Sequence, residues 1–206
     1  MGEGRFTAGK EKGQEKMKTA SRVLLCGLMV VVFLGVNPVR GDGKAVSATV
    51  VELGVGSLDE GEVAALIYTR EEEKLARDTY LTLYGVWGMP VFSNVAASEQ
   101  SHMDAVLRML EKYGLEDPAE GKGVGEFTES SGLQPIYDAL VESGSASVIG
   151  ALEAGVFIEE TDITDLSEAV AATDNPDLQQ VYGNLLEGSA RHLVAFLAHL
   201  ADLVVE

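Results

Sequence analysis

A glutamate and a histidine three residues apart, Glu99 and His102, form the pattern in this sequence that points most directly to metal chemistry. On an α-helix, residues at this spacing lie one turn apart on the same face. That face also carries Val95, Val106 and Leu110, so both polar side chains are expected to point into the core. Carboxylates and imidazoles are suitable ligands for iron and manganese. The alternative is a surface glutamate beside a histidine buried in the core, because a single pair of this kind often arises by chance.

Three further residues of ligand type lie in the middle of apolar stripes on other predicted helices. They are Glu73, Glu159 and His192. A carboxylate buried without a partner costs several kcal/mol. Three buried carboxylates and two histidines in one interior therefore predict divalent cations that neutralise them.

Acidic neighbours flank two of these candidates, which leaves a choice of residue in each run. Glu71 and Glu72 precede Glu73, and Glu160 follows Glu159. Such runs usually form solvated helix faces. The apolar stripes favour Glu73 over Glu72 and Glu159 over Glu160 as the buried residue.

Helical periodicity covers nearly the whole chain after residue 56, whereas residues 115–132 have the glycine and turn residues of a loop. A short segment, residues 45–55, is ambiguous between strand and coil. The pattern predicts an all-α fold, a four-helix bundle with one extra short helix between the two helix pairs. The predicted helices run from Ser57 to about Tyr84, Phe92 to Tyr113, Leu133 to Ser143, Ser147 to about Ala172, and Leu178 to Val205.

Composition and charge exclude several classes of protein. Of the 206 residues, 46% are hydrophobic and 23% are charged, which is the composition of a folded chain. The single cysteine, Cys26, excludes a disulfide framework and a multi-cysteine metal site. The formal net charge of −18 excludes binding to nucleic acid through phosphates.

The first 42 residues resemble a targeting segment. A stretch rich in lysine and arginine precedes Val23–Val36, which is uncharged. This run would span only about 21 Å as a helix, less than a bilayer requires. We predict a signal sequence or N-terminal membrane anchor over residues 1–42, a linker over 43–56 and a helical domain over 57–206, and therefore an exported protein.

Five stretches carry a resemblance to known proteins. They are REEEKLARDTYLTLYGVWG (70–88), NVAASEQSHMDAVLRMLEKYGLEDP (94–118), LQPIYDALVESG (133–144), IEETDITDL (158–166) and NLLEGSARHLVAF (184–196). Together they resemble the ferritin-like superfamily of carboxylate-bridged di-iron proteins. More closely, they resemble an uncharacterised ferritin-like family, domain of unknown function 2202, over residues 58–200.

The resemblance implies a ferritin-like four-helix bundle holding two iron or manganese ions. Five of the six usual ligands would be Glu73, Glu99, His102, Glu159 and His192, with Glu99 or Glu159 bridging the ions. Ser189 stands where the sixth ligand, a glutamate, is expected. Asp162 or water would have to substitute, which implies incomplete occupancy and a weaker site at His192.

Two main functions follow as expectations. The first is an exported di-iron or di-manganese oxidase, peroxidase or ferroxidase of unknown substrate. The alternative is a non-catalytic exported interaction or structural module with a degenerate metal site; metal sequestration without turnover is a third. The expected partners are metal ions and small oxidants, with no nucleic acid, contact with membrane only through residues 1–42 if uncleaved, and a second copy of the chain as a candidate.

Overall fold

A computed structural model of the chain describes residues 57–205, which form an all-helical unit. The predicted leader, the linker and the ambiguous segment 45–55 lie outside the described residues. Within them the chain forms five α-helices and no strand, as the periodicity predicted. The helices are α1 (Glu60–Trp87), α2 (Pro90–Tyr113), α3 (Gln134–Ala146), α4 (Val148–Ala172) and α5 (Pro176–Val205), with a 3-10 turn at Glu129–Ser131.

Local sequence signals explain where the first helix begins and ends. The Asp59 side chain accepts a hydrogen bond from the backbone N–H of Glu62, whose carboxylate accepts from the Asp59 N–H, which completes a capping box. At the other end, Gly88 adopts a left-handed conformation with φ of 64°. The indole N–H of Trp87 donates to the carbonyl of Gly144 at 2.8 Å, so a tertiary contact holds the last turn beyond the predicted end at Tyr84.

The long helices pack in a closed arrangement that leaves one shared interior. Helix α1 packs along α2 and helix α4 along α5, while α1 also contacts α4 and α2 also contacts α5. Helix α3 packs on α4 and α1. None of the helices within residues 57–205 is long and apolar enough to cross a membrane.

Polar residues occupy a layer between two apolar layers of this interior. Residues seven apart on one helix lie two turns apart on the same face. On α1 this spacing separates Leu66, Glu73 and Tyr80, and all three are buried. The same order of apolar, acidic and apolar residues recurs on α2 and α4, at Phe92, Glu99 and Val106 and at Leu152, Glu159 and Leu166.

Residues of the loop between α2 and α3 are tied to one side of α1 by ionic and backbone contacts. Arg70 forms a two-pronged ion pair with Asp117, with both N–O distances at 2.9 Å. The Lys74 ammonium donates to the carbonyl of Gly123 at 2.6 Å and pairs with Asp78. The loop therefore covers a side of α1 that would otherwise face solvent.

Candidate metal centre

Each of the four long helices contributes at least one ligand-type side chain to the polar layer. Glu73 comes from α1, Glu99 and His102 from α2, Glu159 from α4 and His192 from α5. Each of the three glutamates is 1% exposed, and the histidines are 9% and 8% exposed. All five residues that the sequence suggested as ligands are therefore buried in one region.

The first cluster contains Glu73, Glu99 and His102, with ligand atoms that lie within 4.8 Å of one another. The Nδ1 atom of His102 is 2.7 Å from Oε2 of Glu99 and 3.2 Å from Oε2 of Glu73. Two helices thus bring two carboxylates and one imidazole to a common point.

The second cluster shares Glu99 with the first and adds Glu159 and His192. The Nδ1 atom of His192 is 2.8 Å from Oε1 of Glu99 and 3.5 Å from Oε2 of Glu159. The two imidazole rings are stacked with centroids 5.4 Å apart. Glu99 therefore directs one oxygen to each histidine, which makes it the common member of both clusters.

Several buried ligand atoms have close neighbours and yet no hydrogen bond. Neither oxygen of Glu99 has a hydrogen-bond partner, and neither does Nδ1 of His192, although these atoms approach within 2.8 Å. Oε1 of Glu73 is also unpaired. Buried polar atoms are almost always hydrogen-bonded, so unpaired atoms that converge need another partner. A cation held between them would supply it.

Hydroxyl groups hold the outer side of the second cluster. The Tyr80 hydroxyl donates to Oε1 of Glu159 at 2.6 Å. Nε2 of His192 is 2.8 Å from the Ser98 hydroxyl oxygen, so Nδ1 is the nitrogen that faces the carboxylates. The hydrogen bond on the far nitrogen sets the orientation of such an imidazole.

The position of His102, the histidine of the first cluster, is set by close packing rather than by a hydrogen bond to a hydroxyl group. A Cβ atom added to Gly188 of α5 would come within 2.3 Å of Nε2 of His102. Only glycine at position 188 leaves room for the His102 ring in this orientation.

Burial and mutual charge set the protonation of the centre. Burial, reinforced by the charge of Asp162, raises the pKa of Glu73 well above its usual range, and burial raises the pKa of Glu159 to about 8. Burial also raises the pKa of Glu99, but its contacts with His102 and His192 outweigh this and lower that pKa to about 2.

The histidines shift in the opposite direction. Burial lowers the pKa of each imidazole, but contacts with Glu73 and Glu99 outweigh it at His102 and raise the pKa to about 11. Contacts with Glu159 and Glu99 raise the pKa of His192 to about 9. The metal-free centre therefore retains protons at neutral pH.

The structure corrects the interpretation of one acidic run and supports that of the other. Glu160 is exposed, as expected for a solvated neighbour of Glu159. Glu71 and Glu72, however, are only 2% and 6% exposed, so they do not form a solvated face. Thr128 of the loop donates its backbone N–H and its hydroxyl to Glu71, which explains how that carboxylate is buried.

Ser189 and Asp162 lie beside the clusters without belonging to either. Ser189 is fully buried and its hydroxyl donates to Oδ2 of Asp162. Oδ1 of Asp162 is buried and unpaired. The sequence did not reveal the contacts of Ser98 or Gly188, because no spacing rule connects residues on separate helices.

These features define a helical protein with a buried centre of carboxylates and imidazoles. Residues 62–203 match a family described as "Uncharacterized protein domain (DUF2202)", and the chain belongs to that family.

One curated relative is "Uncharacterized protein MJ0754" of Methanocaldococcus jannaschii. It is 47% identical over 143 residues, which are 69% of this chain and 77% of the relative. A solved structure titled "Crystal structure of hypothetical protein MJ0754 from Methanococcus jannaschii DSM 2661" superposes with a TM-score of 0.71 at 45% identity. It covers 73% of this chain and 86% of the solved one.

Proposed function

We propose that this chain is an exported ferritin-like metal-binding protein whose buried centre binds two iron or manganese ions. The observation that carries the proposal is the pair of clusters joined through Glu99, each with an imidazole nitrogen and carboxylate oxygens within 4.8 Å of one another. The most specific activity consistent with this centre is that of an oxidase, peroxidase or ferroxidase.

The packing of the helices supports the ferritin-like part of the proposal. In ferritin-like di-metal proteins, four helices direct glutamates and Glu-x-x-His pairs inward at one level of the bundle. Here Glu73, Glu99, Glu159 and His192 come from four different helices and lie in one polar layer. The pair Glu99 and His102 has the expected spacing.

The donor set fits iron or manganese. Oxygen and imidazole nitrogen donors suit these ions, and the described residues contain no thiolate that would favour a softer metal. Two divalent cations would also neutralise the three buried carboxylates and provide partners for the unpaired oxygens of Glu73 and Glu99.

The assignment of ligands follows from the two clusters. Glu73, Glu99 and His102 would hold one ion, and Glu99, Glu159 and His192 the other. Ions of this kind supply redox reactivity toward dioxygen or peroxide. The protein would contribute position and exclusion of water, since Tyr80 orients Glu159 and the aromatic rings of Tyr80, Phe92 and Phe196 close one end of the polar layer.

The alternative is a non-catalytic exported interaction or structural module whose metal site is degenerate. Ser189 favours it, because its hydroxyl is engaged with Asp162 and provides no charged ligand to the second cluster. The same observation supports the expectation that the site at His192 is the weaker one.

Anaerobic loading with Fe(II) or Mn(II), followed by metal analysis and a dioxygen-consumption assay, tests the proposal. We expect two ions per chain bound with unequal affinity, and dioxygen uptake by the iron form. Metal binding without dioxygen or peroxide turnover would favour metal sequestration, and absence of any bound ion would refute the metal-binding proposal and favour the alternative. N-terminal sequencing of the native protein tests export, which full-length protein in the cytoplasm would contradict.

A further inference from the structure

A row of carboxylates, here called the file, extends along one side of α4 from the buried centre to the surface. Asp162, Asp165 and Glu168 are spaced by three residues, which places them on neighbouring turns of one side of the helix. Their exposure rises in order, because Asp162 is 5% exposed, Asp165 is half-buried and Glu168 is exposed.

Helix α1 supplies a fourth carboxylate to this file. Glu72 is 6% exposed, and its carboxylate lies within hydrogen-bonding reach of Asp165. The charge of Asp162 contributes to raising the pKa of both Glu72 and Glu73, so Asp162 is the member of the file near the first cluster.

No lysine or arginine of the described residues pairs with these carboxylates, although the charge of His102 acts on Asp162. Within residues 57–205, no salt bridge involves Glu72, Asp162 or Asp165. Asp162 is only 5% exposed and its Oδ1 has no hydrogen-bond partner, while the Ser189 hydroxyl donates to Oδ2. A buried and unpaired carboxylate oxygen near the charges of Glu72 and Asp165 requires a proton or a cation.

We propose that Glu168, Asp165, Glu72 and Asp162 form the route by which divalent cations reach the buried centre from the surface of α4. The proposal rests on the proposed function, because it assumes that the centre binds metal. Rows of like charge beside low-dielectric walls concentrate counter-ions and accelerate their association. Carboxylate oxygens are also exchangeable ligands for hard divalent cations, which can therefore pass from one to the next.

The rate of Co(II) uptake, followed by the visible absorption that develops on binding, tests the route. The variants are Glu72→Gln, Asp165→Asn and the double substitution, with Glu153→Gln as the matched control because Glu153 is an exposed carboxylate on the same helix. We expect the double variant to associate about tenfold more slowly, with weaker dependence on ionic strength and unchanged final stoichiometry. The control should behave as wild type.

Two results would overturn the route. An unchanged rate in the double variant would show that cations enter elsewhere, and a reduced final stoichiometry would show that these residues are ligands. Wild-type protein that takes up no Co(II), Mn(II) or Fe(II) would instead refute the proposed function. Because both amide substitutions remove buried charge, we expect folded variants. Asp165→Lys, with the half-buried position reversed in charge, should slow uptake further than Asp165→Asn.

Discussion

Two sides of helix α1 bury charge in opposite ways. On the side covered by the loop, Asp78 is fully buried between the ammonium of Lys74 and the guanidinium of Arg77, which lies 2.7 Å away. On the other side, Glu72 and Glu73 lie near further carboxylates, and Glu73 contacts His102. The first side is neutralised within the protein, whereas the second leaves buried oxygens unpaired.

This difference distinguishes buried charges that hold the fold together from buried charges that are expected to bind a ligand. A buried ion pair with complete hydrogen bonds holds a loop in place, and its loss destabilises the fold. The buried cluster on the other side has no lysine or arginine and is balanced by protons on its histidines and carboxylates, which a metal ion could replace, so it is expected to serve a ligand. The two sides should therefore respond differently to substitution and to metal.

The largest expected effect comes from removing Asp78, the carboxylate of the neutralised side of α1. Asp78→Ala would leave Lys74 and Arg77 without their carboxylate, and we expect the free energy of unfolding to fall by about 3–5 kcal/mol. Urea denaturation of the metal-free and metal-loaded protein would measure it. Asp138→Ala, at an exposed position on α3, is the control and should change stability by less than about 0.5 kcal/mol. The stabilisation gained from metal should be the same in Asp78→Ala as in wild type.

Glu99→Gln breaks the acidic side and removes the ligand shared by both clusters. Wild-type protein should gain about 2.7 kcal/mol of stability when the free metal concentration is 100 times Kd. The variant should gain none, because both ions lose a ligand. Thermal denaturation with and without Mn(II) would show this. Glu111→Gln, an exposed glutamate of α2, should retain the full gain, and an equal gain in Glu99→Gln would contradict the assignment.

Gly188→Ala should distinguish the first cluster from the second, because the added methyl group would collide with the ring of His102. We expect a loss of about 1–3 kcal/mol from overpacking and weaker binding at the first cluster only. Calorimetric titration with Mn(II) would resolve the two sites. Gly183→Ala, also on α5 but with nothing within 4 Å of the new Cβ atom, is the control. Equal weakening of both sites would indicate a general disturbance of α5.

The smallest expected effect is the change of metal affinity with pH. In the metal-free centre, burial raises the pKa of Glu159 to about 8. Burial lowers the pKa of His192, but its contacts with Glu159 and Glu99 outweigh this and raise that pKa to about 9. Below about pH 8 both groups hold protons that a metal ion must displace, so apparent affinity should rise with pH. For each proton released on binding, the free energy of metal binding becomes more favourable by about 1.4 kcal/mol per pH unit. Calorimetry in buffers of different ionisation enthalpy would count the protons, and affinity that falls with pH would contradict these protonation states.

Much of this molecule was predictable from local sequence. The five helices lie within a few residues of their predicted bounds, because capping residues, glycines and apolar periodicity are local signals. Glu73, Glu99 and Glu159 were identified as buried for the same reason, since each lies in an apolar stripe of its own helix. The burial of Glu71 and Glu72 was missed because the loop and α4 cover a side of α1 that local periodicity leaves polar.

The sequence by itself determined the helices, the polar layer within their apolar stripes and the identity of five candidate ligands. Only the tertiary structure decided that Glu99 belongs to both clusters, that Ser189 holds Asp162 instead of joining a cluster, and that Gly188 makes room for His102. The physical reason is that helix formation and amphipathic faces depend on neighbours in the chain. Contacts across helices depend on how the helices pack, at distances that no spacing within one helix encodes.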